Sequence, residues 1–422
     1  MENSIFILKA RTNADFLKHS LLLFSNKEPK NDLIKFNIGT IFRINDKKYV
    51  LTCNHCTKNS YDQVLIMHNA VYKCSTMCVA PELELALLTI NDDNEANKLE
   101  YNTIDDFDFS LNKFRDNHTF NIDSVDIDEY IKTKRCNRIK LTGFFHDIIQ
   151  ESHNTISLNV PPIPYIRMTL GNKYTDISQL SGLSGSIVRN GTKIIGIISS
   201  VIESYLHVIP VYSIARFLNE FKETSGHRGI CTLVGQYNSC RFEPDELKSK
   251  LIYGIHVTNT YGIKNNLIKG DVILQINGQP TNIDRKIYDP IIGISIDFNV
   301  FVAMNFLADR LIPLKVARLK KGSVTEYKEK DILVKAKPLD LMKYIPIEFN
   351  KKVYEFAHMK FIELSEDIIN HYLNLGIMTG LSVGEEYIDC PYRNTESFVV
   401  ILIDIDKSTL PTKLRKIVNN IG

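Results

Sequence analysis

Residues 47–56 read KKYVLTCNHC, a run of β-forming side chains that ends on His55 between Cys53 and Cys56. The alternation from Tyr49 to Thr52 predicts a strand, and Asn37–Ile44, NIGTIFRI, predicts a second one just before it. A general base needs an imidazole fixed within hydrogen-bond reach of its nucleophile, and a strand end can hold a ring that firmly. A His after a strand is by itself no more than structural, so the weight of His55 depends on what other segments bring to it.

The chain that carries this stretch has 422 residues, which at about 150 residues per domain implies two to four folded units. Lys and Arg number 51 against 49 Asp and Glu, a formal net charge of +2. That balance gives no global attraction to nucleic acid or to an anionic membrane. Apolar residues at 44%, with 14 Pro and 20 Gly, exclude a collagen-like or mostly disordered chain. The N-terminal residues MENSIFILKARTNADF lack the pattern of a secretory signal. The longest apolar region, Ile194–Ile214, is interrupted by Glu203, His207 and Pro210, too polar to span a membrane. The expectation is a soluble intracellular protein whose eight Cys are free thiols.

Short runs rich in Ile, Val, Leu, Phe and Tyr, among them ELALLTI, RIKLTGF and KIIGIIS, make residues 1 to about 225 a β-rich half. Asp92–Asp108 is acidic and aperiodic and reads as the connection between two β units, roughly 1–100 and 110–225. Val211–Phe221 has apolar residues at helical spacing, and Lys222–Gly229 reads as a linker. Two further regions, 230–336 and 338–422, each mix strands with a short helical pattern.

Two later segments give His55 its context. Pro81–Ile90 reads PELELALLTI, and Ser181–Val188 reads SGLSGSIV with KIIGIISS following at 193–200. The three segments together resemble chymotrypsin-like serine proteases of the Deg/HtrA group. That group has a G-x-x-F strand and a T-x-x-H turn, an acid before an L-A-L-L strand, and a glycine-flanked serine followed by a G-I strand. The resemblance implies His55 as general base, Glu84 as the acid orienting it, and Ser184 as nucleophile, with the N–H groups of Gly182 and Ser184 forming the oxyanion hole. It departs from the family at three points: Glu84 where Asp is usual, Leu183 for Asn, and Ser186 for Gly. The same resemblance makes Ile198, Ser199 and Ser200 the edge that pairs with an extended substrate. It also sets Ser178 near the base of the specificity pocket, where the lack of a carboxylate implies a preference for small apolar side chains. An α/β-hydrolase elbow is excluded, because its second Gly would fall on Ser186.

Tyr253–Asn282, YGIHVTNTYGIKNNLIKGDVILQINGQPTN, resembles a PDZ domain, with Asn277-Gly278 as a two-residue hairpin turn. The resemblance implies a peptide groove along Tyr253, Gly254, Ile255, His256 and Val257, where a C-terminal peptide adds as a strand, unless the chain fills that groove itself. Tyr344–Leu364 resembles the opening of the second, divergent PDZ-like domain of plant and algal Deg proteases, and Phe398–Asp406 would be a later strand of it.

The expectation is therefore a mainly β protein: a chymotrypsin-like double β-barrel (1–225) followed by two PDZ-like α+β domains (230–336 and 338–422). Its implied activity is serine endopeptidase cleavage of unfolded or extended polypeptides, of the protein quality control kind, without cofactors and in a trimer-based homo-oligomer. Two alternatives stand beside it. One is a scaffold that kept the fold and lost turnover through Glu84, Leu183 and Ser186. The other is a zinc-dependent binding module, since Cys53, Cys56, Cys74 and Cys78 have spacing compatible with four-thiolate zinc. Alternation along a strand would turn Cys53 and Cys56 to opposite sides, so the expectation is no metal.

Overall fold

A computed structural model describes residues 5–12, 33–57, 60–67, 70–135, 137–151, 163–171, 182–202, 204–233, 235–242, 252–260, 266–322, 326–338, 353–356, 359–363 and 400–405. The chain forms two compact units, one of residues 1–11, 34–153 and 161–339, the other of 12–33, 154–160 and 340–422.

Six strands close a first barrel: β1 Ile5–Thr12, β2 Leu33–Ile44, β3 Lys47–Cys53, β4 Ser60–Met67, β5 Ala70–Ala80 and β6 Leu85–Ile90, in the order β1-β2-β3-β6-β5-β4. The β2–β3 hairpin turns on Asn45 and Asp46, both at positive φ (47° and 64°), the backbone that a two-residue turn between twisted strands requires. Ile38, Ile41, Phe42, Val50, Leu51, Leu85 and Leu87 are fully buried in it. Strand β3 pairs antiparallel with β6, Cys53 opposite Leu85. The short helix α1 (Asn54–Thr57) leaves β3 at the very end where the turn before β6 arrives. That register sets His55 and Glu84 side by side although 29 residues separate them.

The segment 92–108 connects the barrels, as expected, and is pinned to both. It holds helix α2 (Asp93–Asn97) and a fully buried Asn102 bridged to Phe42, while Phe107 bridges to Ile194. A second barrel follows: β7 Thr119–Val125, helix α3 Ile127–Thr133, β8 Arg138–Glu151, β9 Ile163–Leu170, β10 Ile187–Asn190, β11 Lys193–Ile202 and β12 Tyr205–Pro210, closed in the order β10-β11-β12-β9-β8-β7. Its core joins Phe114, Phe120, Ile122, Ile166, Val188 and Ile195, with Leu183 packed among them. Helix α4, Val211–Thr224, closes this half and buries Val211, Ile214, Phe217, Leu218 and Phe221. It runs three residues beyond the expected Phe221 and ends on Ser225 in the left-handed region, so the expected linker begins inside the helix.

A six-stranded sheet comes next. Its strands β14 Gln236–Phe242, β15 Ile252–Asn259, β16 Val272–Ile276, β20 Leu311–Leu319 and β21 Tyr327–Lys335 lie in that order, with β17 Gln279–Pro280 paired to β16 across Asn277-Gly278. The ends of this region, β13 Cys231–Thr232 and β22 Lys337–Pro338, pair with each other. A hairpin of β18 Lys286–Asp289 and β19 Ile294–Asp297 leads into helix α5 Phe298–Asn305, capped by the Asp297 carboxylate on the N–H of Asn299. The second unit's described part is a three-stranded antiparallel sheet of β23 Val353–Phe356, β24 Met359–Glu363 and β25 Val400–Ile405. These strands fall inside Tyr344–Leu364 and Phe398–Asp406.

The expected peptide edge at Tyr253–Val257 needs correction. These residues lie in β15, which is hydrogen-bonded to β14 along its whole length and to β16 at Ile255 and His256. From Ile255 to Val257 the strand is paired on both sides and has no amides left for an incoming peptide. The edges of this sheet, among the described residues, are β14 and β21.

Candidate active site

The loop before β10 is held by two backbone hydrogen bonds, one from β2 of the first barrel and one to β11 of its own barrel. The Ile38 N–H donates to the Ser184 carbonyl at 2.9 Å, and the Gly185 N–H to the Ile198 carbonyl at 2.8 Å. Gly185 adopts φ +91°, and a Cβ there would lie 2.0 Å from the Ile38 carbonyl oxygen, so the sequence must write Gly after Ser184. Gly182, at φ +88°, has a similar constraint against Ile127 Cδ1 at 2.6 Å. The two departures in this loop are absorbed locally. Leu183 packs into the second barrel's core, and the fully buried Ser186 hydroxyl pairs with Ser124 Oγ at 2.7 Å.

On this frame His55, Glu84 and Ser184 come together. His55 Nδ1 is hydrogen-bonded to Glu84 Oε1, and His55 Nε2 lies 3.1 Å from Ser184 Oγ. Glu84 Oε1 also accepts from the His55 backbone N–H at 3.1 Å, while the Glu84 carbonyl accepts from the Asn54 N–H at 3.1 Å. Glu84 reaches this position in the left-handed region, φ 57°, after a single 3-10 turn, Pro81–Leu83. The Glu84 side chain is 6% exposed and the His55 side chain 40%. The ring is thus open to solvent on one side and fixed by a buried acid on the other.

The Ser184 hydroxyl has a second partner, the Ser199 carbonyl, to which it donates at 2.8 Å. Ser199 is the extra residue of a bulge in β11, where Ile198 faces Val208 and Ser200 already faces His207. Pairing of β11 with β10 stops at Ile197, and among the described residues no strand follows on that side of Ser199–Ile202. Ser199 and Ser200 lie on this open stretch, whereas the Ile198 N–H and carbonyl are already paired with the Ser186 carbonyl and the Gly185 N–H. The N–H groups of Gly182 and Ser184 have no acceptor among the described residues, as donors kept for an oxyanion must. Ser178 lies outside the described residues.

The structure adds a neighbour that the triad resemblance did not contain. Cys56 Sγ is 3.5 Å from His55 Nε2, and Cys53 Sγ donates to the Ile198 carbonyl at 3.2 Å. Both thiols are fully buried. Burial opposes charge on the imidazole, but hydrogen bonds and charge from Cys56 and then Glu84 outweigh it and raise His55 to about 10. Burial likewise pushes Cys56 up, yet hydrogen bonding from Cys53 and the charge of His55 bring it down to about 6. With both ring nitrogens protonated, Nε2–H faces both Ser184 Oγ and Cys56 Sγ, while the Ser184 hydroxyl donates to Ser199. Nε2 must lose its proton before it can act as a base.

Sequence reasoning also missed a buried charged cluster behind the Glu84 turn. His227 presents Nδ1 to Glu220 Oε2 at 2.7 Å and Nε2 to Glu82 Oε1 at 3.0 Å. Arg216 lies 3.5 Å from Glu220, and the Ile230 N–H donates to Glu82 at 2.7 Å. These residues stand at 82, 216, 220 and 227 with no motif among them; only the i, i+4 pair on α4 was readable.

No family model matches the chain, and no curated protein matches it. Solved structures do. An HtrA-type protease AlgW variant with a decapeptide has a TM-score of 0.51 at 14% identity, over 79% of this chain and 94% of that one. AlgW with a tripeptide has a TM-score of 0.49 at 14% identity, over 80% and 94%. The serine endoprotease from Yersinia pestis has 0.46 at 14% identity, over 80% and 95%. The chain is mainly β with a trypsin-like double barrel followed by further β domains, and this is the fold of an HtrA-type protease.

Proposed function

We propose that the protein is a serine endopeptidase of Deg/HtrA type that cleaves unfolded or extended polypeptides by acyl transfer. The observation that carries this reading is one imidazole joined through Nδ1 to a buried carboxylate and facing a serine hydroxyl at 3.1 Å through Nε2. In its neutral form His55 takes the Ser184 proton as Oγ attacks the scissile carbonyl, and Glu84 holds the tautomer and stabilises the imidazolium that forms. The unpartnered N–H groups of Gly182 and Ser184 receive the developing oxyanion. His55 then protonates the leaving amine, and water releases the acyl group by the same path in reverse. Substrate runs along Ser199–Ile202, and small apolar residues are favoured before the scissile bond. A decapeptide bound to the AlgW variant supports an extended peptide as ligand.

In this reading 1–225 is the protease domain, 230–336 a PDZ domain and 338–422 a second, divergent PDZ-like domain. The chain works in a trimer-based homo-oligomer, and a C-terminal peptide docks on the β14 edge rather than on β15. Among the described residues no helix is long and apolar enough to cross a membrane. The test is cleavage of an unfolded polypeptide and of fluorogenic peptides with small apolar residues before the scissile bond. Turnover by the wild type and its loss in a folded Ser184→Ala variant are expected. Equal turnover by both, or none by the wild type at any pH after chelator treatment, overturns the proposal.

A further inference from the structure

Strand alternation predicts that Cys53 and Cys56 face apart, but β3 ends at Cys53 and α1 begins at once. The helical turn brings the side chain three residues on back to the same side. As a result the metal-binding atoms of Cys53, His55 and Cys56 all lie within 4.8 Å of one another. Cys74 and Cys78 are not part of this group, so the four-thiolate arrangement considered from sequence is not the one the fold builds.

One edge of this group has the length that a tetrahedral d10 ion requires. Zinc bonds of about 2.3 Å to sulfur and about 2.0–2.1 Å to imidazole nitrogen give a sulfur–nitrogen edge of about 3.5–3.6 Å. The Cys56 Sγ to His55 Nε2 separation is 3.5 Å. The other ring nitrogen is bonded to Glu84, which is how a carboxylate fixes the tautomer and orientation of a metal-ligating His. The thiols are fully buried, while the ring is 40% exposed and offers the way in. Ser184 Oγ, 3.1 Å from Nε2, lies on the side from which a fourth ligand would approach.

We propose that Cys53, His55 Nε2 and Cys56 form a zinc site, and that zinc holds the peptidase switched off. This deepens the peptidase reading and rests on it for the inhibition, though not for the binding. Binding releases to solvent the two protons that Cys53, Cys56 and His55 Nε2 hold between them and occupies the Nε2 lone pair. That lone pair is the one that takes the Ser184 proton, so a metal-bound chain cannot turn over. Removal of zinc restores the base without any change of fold.

The test uses the full-length protein, stripped of metal and titrated with Co2+ and Zn2+ under reducing conditions. One Co2+ per chain with a thiolate-to-cobalt charge-transfer band and tetrahedral d–d bands is expected, displaced by one equivalent of Zn2+. Cys53→Ser and Cys56→Ser lose the band, Glu84→Gln weakens the affinity by about 10–100-fold, and Ser184→Ala, dead as a peptidase, keeps the band. Peptidase activity falls to background at one equivalent of Zn2+ and returns with chelator. A wild-type cobalt complex without the charge-transfer band overturns the site even if the cysteine variants fail to fold. A band with full activity in the presence of Zn2+ overturns the switch. Failure of the peptidase reading alone shows separately, as a normal cobalt spectrum on a protein that never cleaves.

Discussion

Glu84 has one methylene more than the Asp usual at its position in the resembling group, and more than about 1 Å of extra reach matters to catalytic geometry. The backbone compensates. Glu84 takes a left-handed conformation at the end of the Pro81–Leu83 turn, at a cost of order 1–3 kcal/mol for a non-glycine residue. From there its carboxylate contacts His55 both through the ring and through the main chain. Replacing Glu84 by Gln keeps the volume and removes the charge that favours the required tautomer. A fall in kcat of about 10⁴ with little change in KM is expected from steady-state kinetics; a loss below tenfold would mean that Glu84 does not orient the base. Leu183 and Ser186, the other two departures, are accommodated by core packing and by Ser124 and leave the loop's hydrogen bonds in place.

At the scale of elements, the turn that carries Glu84 is held from behind by α4 and the segment after it. Both nitrogens of His227 face carboxylates, so the ring is doubly protonated. Burial works against that charge, but Glu82 and Glu220 outweigh it and raise His227 to about 9. Burial also opposes ionised Glu82, yet His227 and the Ile230 N–H lower it to about 2. The raised His contributes stability that is fully present below its unfolded value near 6.5 and is lost as pH rises through about 9. The lowered Glu contributes stability present above its unfolded value near 4.5 and lost as pH falls toward 2. Thermal unfolding should therefore show a maximal Tm between about pH 4.5 and 6.5 from this cluster, declining on both sides. Glu82→Gln strands a buried charge and should cost about 3–5 kcal/mol, with the alkaline decline flattened. A variant as stable as the wild type, with an unchanged pH profile, would mean that the cluster does not brace the turn.

For the whole molecule, the sequence made legible what local pattern specifies. The β2–β3 strands, the G-L-S-G loop with its forced glycine, the Asn277-Gly278 turn and helix α4 each have a signature within a few residues. What stayed hidden depends on pairing across distance. The register of Cys53 opposite Leu85 explains why His55 meets Glu84, but no single segment encodes it. The burial of β15 between two strands depends on β14, a segment with no motif, and so the expected peptide edge falls on a strand that is already paired. The proximity of Cys56 to His55 Nε2 follows from a helix only four residues long, shorter than any periodicity can reveal.

The central claim is that Ser184 is a nucleophile activated by His55, and a fluorophosphonate probe tests it most directly. Metal-free protein, labelled, digested and mapped by mass spectrometry, should carry one adduct on Ser184, formed in wild type and absent from folded His55→Ala and Ser184→Ala. A folded wild type that forms no adduct, or one labelled equally well without His55, would contradict the account.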